Sequence, residues 1–432
     1  MVVAACVLAT AFVPVGCGGG SNSNSGPTPV PTVTGPTPTP SPIPTPTLKT
    51  TTLVPSLTSP AGFDVGASDG GFLVAYGAAA TATTGAIYGI RLDADGSVLD
   101  TTPFLVSVAQ ADGYLSDPSW TGPGVGYDGT SYAVAYAGSG TAQGVPANTI
   151  TAVLVDAQKN VGAPTDLAET AAFGTCESSV GPPPAIAGAP STVFAAVWPM
   201  QTGCVGTPVL DLLGAAFATP DGSALAVTAI EGLLPPVDQN PIVSSAAAIA
   251  TTPTTIVATW TEGAVGSTST NVEVALLSAG GVERVQLASG VEGFVRPAIA
   301  SNDSNDYLVV WQGSGNSIRG GRFRPGTGPL DGPDGFVIVQ GGQQELGPPR
   351  VAFGNAGYLV AWVVPGDAGS SLEAIRVTLQ GTLFEDVVTI APAGAIATTD
   401  VALAFSRQTY VATYLGPASG GGTSLVASSL GF

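Results

Sequence analysis

Short apolar segments recur at regular intervals along most of this chain. Each begins with an aromatic or aliphatic residue, continues with small and β-branched residues, and ends on Trp or Tyr. Seven copies are present: FLVAY (Phe72–Tyr76), YAVAY (Tyr132–Tyr136), FAAVW (Phe194–Trp198), IVATW (Ile256–Trp260), YLVVW (Tyr307–Trp311), YLVAW (Tyr358–Trp362) and YVATY (Tyr410–Tyr414). Their closing aromatic residues are 60, 62, 62, 51, 51 and 52 residues apart. Spacing of this kind predicts a repeat architecture.

Each apolar segment is predicted to be the second strand of a four-stranded unit. An aliphatic–small pair such as Val65-Gly66 precedes it, and the intervening turn is rich in residues that favour tight turns. A third strand such as IYGIRL and a fourth such as PFLVS follow. Seven such units predict an all-β, seven-bladed β-propeller of four-stranded antiparallel blades. We expect the recurrent Trp or Tyr to pack between adjacent blades.

The seventh unit has no fourth strand after its third strand, SLVASSL, because the sequence reaches Phe432 there. An unpaired sheet edge invites aggregation. The segment Thr50–Val54 is rich in β-branched residues and belongs to no other unit. We therefore predict that it pairs with Leu425–Leu430 and closes the ring; a three-stranded last blade is the alternative.

The chain is predicted to have three parts: a signal peptide (1–17), a disordered tether (18–50) and the propeller (51–432). Residues 2–15 are almost all apolar but too few to span a bilayer comfortably, as in a secretory signal. The end of this run, VPVGC, resembles a bacterial lipobox, which implies a lipid on Cys17; a plain secretory signal is the alternative. Residues 18–50 are dominated by Pro, Thr, Ser and Gly and cannot build a core.

Charge and composition exclude several kinds of chemistry. The chain has 30 acidic and 11 basic residues, a net charge of −19, so nucleic acid is a poor partner. It contains no histidine, which removes Ser-His-Asp and Cys-His catalysis and HExxH zinc sites. Acid–base catalysis would therefore rest on carboxylates or tyrosines. We predict no cofactor and no metal site.

Two cysteines remain in the predicted propeller, Cys176 and Cys204. An even number of cysteines in an exported chain indicates a disulfide, so we predict that these two are joined. Two free buried thiols are the alternative.

Most other polar clusters have a structural interpretation. Asp93–Gly96 and Asn302–Asp306 could contribute to calcium loops, but they occupy repeat turns and are predicted to be plain turns. Arginines recur on the third strand of repeats one, five and six, where structural pairing is expected: Arg91, Arg322 and Arg376. One inter-repeat insertion, ADGYLSDPSW, places carboxylates beside aromatic residues outside the repeat pattern. It contains the candidate ligand-binding residues Asp112, Tyr114, Asp117 and Trp120, for which an ordinary packed loop is the alternative.

The repeats resemble the YLVxW-type propeller repeats of exported bacterial proteins over residues 51–432. The resemblance implies the architecture and says little about activity. We predict a cell-envelope binding or scaffold lipoprotein that presents the propeller to a protein or carbohydrate ligand. It is expected to be a monomer, held at the outer membrane or cell surface by a lipid anchor, or alternatively secreted. The competing interpretation is a carboxylate-dependent polysaccharide lyase or glycosidase.

The sequence also predicts which side of the ring binds a ligand. Turns between first and second strands are short in every repeat, whereas the second-to-third-strand loops and the inter-repeat connections vary in length. Both variable sets emerge on one face of a propeller, where binding specificity is expected. The longer spacing of repeats one to four favours that half of the ring.

Overall fold

The computed structural model describes most of the chain from residue 46 to residue 432. Outside the described residues lie 1–45, 58–59, 61, 80–84, 110–121, 143–144, 171–176, 181–183, 190–192, 204–209, 222–223, 230–241, 245–246, 265–266, 279–280, 294, 303, 356 and 385. The predicted signal segment and most of the predicted tether are therefore not described. Thr45–Phe432 is one compact unit. Its described part consists of strands, turns and loops, without a helix, and so contains no helix able to cross a bilayer.

Within the described ranges, 31 strands form seven antiparallel sheets. The strands before and within blades one to three are β1 (Thr47–Leu57); β2 (Phe63–Ser68), β3 (Gly71–Ala79), β4 (Gly85–Asp93), β5 (Phe104–Ala109); β6 (Gly124–Tyr127), β7 (Tyr132–Ala142), β8 (Val145–Val155), β9 (Thr165–Thr170); β10 (Glu177–Val180), β11 (Ala185–Ala189), β12 (Val193–Gly203), β13 (Leu210–Asp221) and β14 (Ala224–Ala229). The strands of blades four to seven are β15 (Ile242–Ser244), β16 (Ala248–Thr251), β17 (Ile256–Ala264), β18 (Ser269–Ser278), β19 (Gly281–Glu292); β20 (Ala298–Ser301), β21 (Tyr307–Gly313), β22 (Ser317–Arg324), β23 (Gly328–Pro329), β24 (Phe336–Gln340); β25 (Arg350–Gly354), β26 (Gly357–Val364), β27 (Ser370–Thr378), β28 (Val388–Ile396); β29 (Val401–Ser406), β30 (Thr409–Pro417) and β31 (Thr423–Gly431).

The seven-bladed, antiparallel prediction is confirmed, with one refinement in three blades. Blades three, four and five contain a fifth, short strand. In blades three and four the first strand is split, so that β10 and β11 both pair with β12, and β15 and β16 both pair with β17. In blade five the fourth strand is split into β23 and β24. Pro329 and Pro333 lie at this interruption, and proline cannot donate a ladder hydrogen bond.

The core is divided into seven apolar clusters, one at each interface between neighbouring blades. Alternate residues of each second strand face the preceding blade and the following blade. In blade five, Tyr307, Val309 and Trp311 pack on blade four. Leu308 and Val310 of the same strand pack on blade six. The closing aromatic residue is at most 4% exposed in every blade. The prediction that these residues pack between blades is confirmed.

The ring closes as the sequence predicts. β1 pairs antiparallel with β31 and supplies the outer strand of blade seven, with Thr50 opposite Ser428 and Thr52 opposite Val426. The strand begins at Thr47, earlier than Thr50, and its last residue, Leu57, is buried in the interface between blades seven and one. The two ends of the propeller are therefore held in one sheet.

The strand order gives the ring two unlike faces. The turn face carries the links from first to second and from third to fourth strands; the loop face carries the second-to-third loops and the inter-blade connections. On the turn face, the tyrosine that begins a second strand bonds to the preceding blade. Tyr132 donates to Ser68 Oγ (2.8 Å), Tyr410 donates to the carbonyl of Gly354 (2.6 Å), and Tyr307 bonds with Thr255 Oγ1 (2.6 Å).

Candidate functional site

A cavity of about 620 Å³ opens on the loop face where blades four, five and six meet. We call it the inner cavity, since one wall is the connection that leads into the axial strand β20. Its lining comprises Glu292, Gly293, Val295, Arg296, Gln312, Gly313, Asn316, Ser317, Glu345, Leu346 and Pro348. These residues come from the connection between blades four and five, the β21–β22 hairpin, and the connection between blades five and six. The cavity therefore lies on the face that the sequence predicts, but outside repeats one to three.

The β21–β22 hairpin is fixed by its turn residues and by its neighbour. Gly315 and Asn316 both have positive φ (68° and 56°), a region that glycine and asparagine tolerate. Asn316 donates from Nδ2 to the carbonyl of Gly342 (3.1 Å) and accepts from the N–H of Gly341 (2.8 Å). Gln312 donates to the carbonyl of Leu346. Because these bonds tie the hairpin to the next connection, the cavity wall is formed before any ligand arrives.

Arg296 is the cation of the inner cavity. Within the described part of the chain, its guanidinium makes no hydrogen bond and no ion pair, although the side chain is largely buried. Burial, followed by the charge of Arg350, lowers the pKa of Arg296 to about 10, so the group is still charged at neutral pH. A guanidinium has five N–H donors, and no described residue accepts a hydrogen bond from those of Arg296. The cavity therefore offers an unused, charged donor.

Further charged groups lie near enough to Arg296 to affect its pKa: Arg350, Asp400 and Asp64. Arg350 of blade six pairs with Asp400 of blade seven (2.6 Å). Asp64 of blade one accepts a hydrogen bond from the N–H of Val125 (2.8 Å). Burial raises the pKa of Asp64 to about 6, against the opposing effect of that hydrogen bond and of the charges of Arg296 and Arg350. Asp64, Arg350 and Asp400 thus have partners, whereas Arg296 does not.

A smaller recess of about 170 Å³ adjoins the inner cavity on the outer side of the same hairpin. This outer recess is lined by Ala288, Ser289, Gly290, Val291, Trp311, Gly313, Ser314, Arg319 and Asp334. It shares Gly313 with the inner cavity, and its residue Val291 is bonded to Glu292 of the inner cavity. The two spaces lie on either side of the β21–β22 hairpin near the junction of blades four and five, and we refer to them together as the groove.

Arg319 is the cation of the outer recess. Its Nε donates to the carbonyl of Asp334 (2.8 Å), and its terminal nitrogens have no partner among the described residues. The side chain passes over Gly313, where an added Cβ would lie 2.5 Å from Arg319 Cδ. Glycine at this position therefore makes room for the arginine.

A pair of carboxylates lies elsewhere, between blades three and four. Glu262 accepts from Trp260 Nε1 (2.8 Å) and pairs with Arg284 (2.6 Å), which also lies 3.9 Å from Glu273. Burial and then the negative charge of Glu262 raise the pKa of Glu273 to about 7, while Arg284 opposes the shift. Both glutamates are largely buried, and neither lines the groove.

Comparison with known proteins supports the fold and leaves the ligand open. No family model matches the sequence, and the search among curated proteins gave no match. Among solved structures, the phage phi92 endosialidase is similar at a TM-score of 0.51 and 7% identity, over 90% of this chain and 69% of that one. A protein of unknown function from Dyadobacter fermentans gives 0.46 and 10% over 89% and 99%. The β-propeller domain of the trilobed protease from Pyrococcus furiosus gives 0.47 and 9% over 85% and 94%. At 7% identity, the similarity to the phage phi92 endosialidase concerns the fold alone.

The candidate ligand-binding residues Asp112, Tyr114, Asp117 and Trp120 lie outside the described residues, so their role stays a prediction. The same holds for Cys17, Cys176 and Cys204. The backbone beside the last two is described: β10 pairs with the end of β12, with Glu177 opposite Gly203. Cys176 and Cys204 are the next residues outward from this pair.

Two of the three recurring arginines pair as expected. Arg91 and Arg322 each bind an aspartate nine residues later, Asp100 (2.9 Å) and Asp331 (2.7 Å), and each also donates to a carbonyl of the following blade. Burial alone would raise the pKa of Asp100, but hydrogen bonds from Arg91 and Lys159 lower this pKa to about 2. Arg376 instead stacks on Phe384 and Phe432 at 4.6 and 4.8 Å.

The two possible calcium loops are turns. Asp93 Oδ1 accepts from the N–H groups of Asp95 (3.0 Å) and Ser97 (2.7 Å). Asn302 Oδ1 accepts in the same way from Ser304 and Asp306. Across the described ranges, no group of three or more acidic or cysteine side chains is placed to hold a metal ion.

The sequence analysis did not single out Arg296 or Arg319. The signal was available in the alignment of repeats: the residue two places before the first strand is Arg296 in repeat five and Gly122 in repeat two. A charge at a position where another repeat has glycine is not required by the blade, and such a departure marks a candidate site.

Proposed function

We propose that this protein is a ligand-binding β-propeller of the cell envelope, and that a glycan or protein ligand occupies the inner cavity on its loop face. One observation carries the proposal: a charged guanidinium, Arg296, has no partner within the described chain and lies in a cavity with preformed walls. Concave sites with a few convergent polar groups are the usual form of ligand sites.

The envelope location is part of the proposal and rests on the sequence. An apolar segment ending in Cys17 and a Pro/Thr-rich stretch precede the propeller. A lipid on Cys17 would hold the propeller at the outer membrane or cell surface, and a plain secretory signal would release it. Incorporation of labelled palmitate that is lost in Cys17→Ala supports the anchor, and equal labelling of both chains contradicts it.

The binding function is tested with a glycan and peptide array and a pair of matched variants. Glu345→Trp adds a large side chain at the exposed rim of the inner cavity. Glu283→Trp makes the same exchange at an exposed position of β19 near the turn face. We expect the array ligand to be lost with Glu345→Trp and retained with Glu283→Trp. A chain that binds nothing on the array, or whose binding survives Glu345→Trp, contradicts the proposal.

A catalytic alternative is favoured by one observation, the raised pKa of Glu273 beside Glu262. A carboxyl group that keeps its proton near neutral pH next to a charged carboxylate has the chemistry of a glycosidase pair. Its burial between blades, away from the groove, argues for a structural role. Release of reducing ends from a polysaccharide, abolished by Glu273→Gln, would favour the enzyme over the binding protein.

A further inference from the structure

We infer that the inner cavity binds the C-terminal end of a peptide whose last residue is basic. In this arrangement Arg296 holds the terminal carboxylate, and Glu292 and Glu345 attract the cationic side chain. The inference rests on the proposed binding function and specifies the ligand. It uses the inner cavity alone, whose described lining contains one guanidinium and two carboxylates. A ligand that pairs with both kinds of group must carry charges of both signs.

The two kinds of charge lie at different depths in the inner cavity. The connection from β19 to β20 leads from the rim strand of blade four to the axial strand of blade five. Glu292 is the last residue of β19, and Arg296 lies two residues before Ala298, the first residue of β20. Glu292 and Glu345 are exposed, whereas Arg296 is largely buried. A terminal carboxylate can therefore enter toward Arg296 while a cation stays near the glutamates.

The groups around Arg296 leave its N–H donors to a ligand. The neighbouring Arg350 pairs with Asp400 (2.6 Å), and Asp64 accepts a hydrogen bond from the N–H of Val125 (2.8 Å). A guanidinium can hold a carboxylate through two parallel hydrogen bonds. Capture of a C-terminal carboxylate is one of the recurring ways in which proteins recognise peptides. Arg296 has the chemistry for this contact.

The remaining walls of the cavity fit a peptide with a long basic side chain. Gln312 and Asn316 each donate from the side-chain amide to a backbone carbonyl, which leaves each amide oxygen as an acceptor for a peptide N–H. Val295, Leu346 and Pro348 supply apolar surface. The aliphatic stem of a lysine or arginine can pack on such a surface while its charged end remains in water.

Other ligand classes match fewer of these groups. A neutral glycan would leave all three charges without a partner. An acidic oligosaccharide would bring further carboxylates close to Glu292 and Glu345, where like charges repel. A simple amino sugar has the cation but lacks the carboxylate. The net charge of the chain, −19, also favours the approach of a ligand with a basic residue.

The inference is tested by calorimetric binding of the full chain to the tetrapeptide Gly-Gly-Ala-Lys and to two matched probes. One probe is the C-terminal amide of the same peptide, and the other has norleucine in place of lysine. We expect the lysine peptide to bind, the amide to bind about tenfold more weakly, and the norleucine peptide about fivefold more weakly. Each of these two probes lacks one of the two charges.

Free lysine is measured alongside to distinguish a peptide from an amino acid. It is expected to bind more weakly than the peptide, since it lacks the peptide N–H groups for Gln312 and Asn316. An affinity for free lysine equal to or higher than that for the peptide would assign the cavity to an amino acid and overturn the inference.

Two substitutions locate the two charged contacts. Arg296→Gln should weaken binding of the lysine peptide about tenfold and leave the affinity for its amide unchanged. Glu345→Gln should weaken the lysine peptide about threefold and leave the norleucine peptide unchanged. Arg407→Gln and Glu283→Gln make the same changes near the turn face and should leave every affinity unchanged. Circular dichroism and melting curves are expected to show that all four variants are folded.

The outcomes separate this inference from the proposed function. If an array ligand is lost with Glu345→Trp, but the lysine peptide does not bind or binds no more tightly than its amide or the norleucine peptide, the binding function stands and the basic C-terminus is wrong. An equal loss for the peptide and its amide in Arg296→Gln also overturns the inference, because the guanidinium would not contact the carboxylate. Retention of every array ligand by Glu345→Trp overturns the proposed function itself.

Discussion

On the turn face of the ring, polar side chains that begin the second strands form hydrogen bonds with the preceding blade. On the loop face, two guanidinium groups have N–H donors for which no described residue is the acceptor. Tyr132, Tyr307 and Tyr410 bond across three of the interfaces, whereas Arg296 makes no bond within the described chain. The tyrosines recur with the repeat and Arg296 does not. The difference teaches that repeated residues maintain the ring and that departures from the repeat indicate where a ligand binds.

The largest effect is expected from removing β1, the strand on which ring closure depends. A chain that begins at Ser59 loses the outer strand of blade seven and the buried side chain of Leu57. We expect the free energy of unfolding to fall by about 3–5 kcal/mol, with aggregation through the exposed edge of β31. Urea unfolding and light scattering measure both effects.

A chain that begins at Thr45 is the control, because it keeps β1 and loses only residues before the compact unit. Equal stability and solubility of the two shortened chains would show that β1 does not hold the ring closed.

The second-largest effect on stability is expected from the predicted disulfide between Cys176 and Cys204. Cys176 precedes Glu177 and Cys204 follows Gly203, so continuing the antiparallel ladder by one step would place the two cysteines opposite each other. Closing a loop of about 28 residues should contribute about 3 kcal/mol. We expect exported protein to show no alkylatable thiol at either position until it is reduced, and to unfold at lower urea afterwards. Two thiols that react without reduction would contradict the prediction.

Removing a single hydroxyl group on the turn face is expected to have a smaller effect on the free energy of unfolding. Tyr410→Phe removes the bond to the carbonyl of Gly354 and leaves that buried acceptor without its donor. The expected loss of unfolding free energy is about 1–2 kcal/mol. Tyr88→Phe is the matched control, since its hydroxyl makes no bond to another described residue. Equal stability of the two variants would mean that the tyrosines add no polar support to the turn face.

The last effect, similar in size to that of Tyr410→Phe, concerns Glu273 and depends on pH. Its pKa rises from the ordinary 4.5 to about 7 in the folded chain. Between these values the folded state keeps a proton that the unfolded state releases, so stability falls as pH rises through this window. Glu273→Gln should remove the decline and gain about 1–2 kcal/mol over the wild type at pH 8, with no gain at pH 4.

Glu283→Gln, at an exposed position of the neighbouring strand, serves as the control for that measurement. A stability difference between Glu273→Gln and the wild type that is the same at both pH values would show that Glu273 does not titrate in this window.

The sequence predicted the ring and its closure because both depend on local patterns. The repeat spacing gives seven blades, and the β-branched run Thr50–Val54 matches the missing strand. The groove could not be predicted in the same way. Arg296 and Arg319 are 23 positions apart, and they share a groove only because β19 and the β21–β22 hairpin meet at a blade junction.

The recurring arginine–aspartate ion pairs fall between these two cases. Arg91 and Asp100, and Arg322 and Asp331, have the same nine-residue spacing, so the ion pairs could have been found by comparing repeats. Their second bond, to a carbonyl of the next blade, needs the curvature of the ring and is not visible in the sequence. The split strands of blades three and four also follow from contacts beyond the repeat, since β10 and β15 pair only with extended second strands.

The central claim is that the turn face stabilises the ring and the loop face binds the ligand. It is tested most directly by one paired measurement on Tyr410→Phe and Arg296→Gln. Both chains are measured for urea unfolding and for affinity for a ligand found on the glycan and peptide array. We predict that Tyr410→Phe loses stability and keeps its affinity, while Arg296→Gln loses about tenfold in affinity and keeps its stability. If Arg296→Gln destabilises the fold as much as Tyr410→Phe does, or if Tyr410→Phe weakens binding as much as Arg296→Gln does, the two faces do not have separate roles.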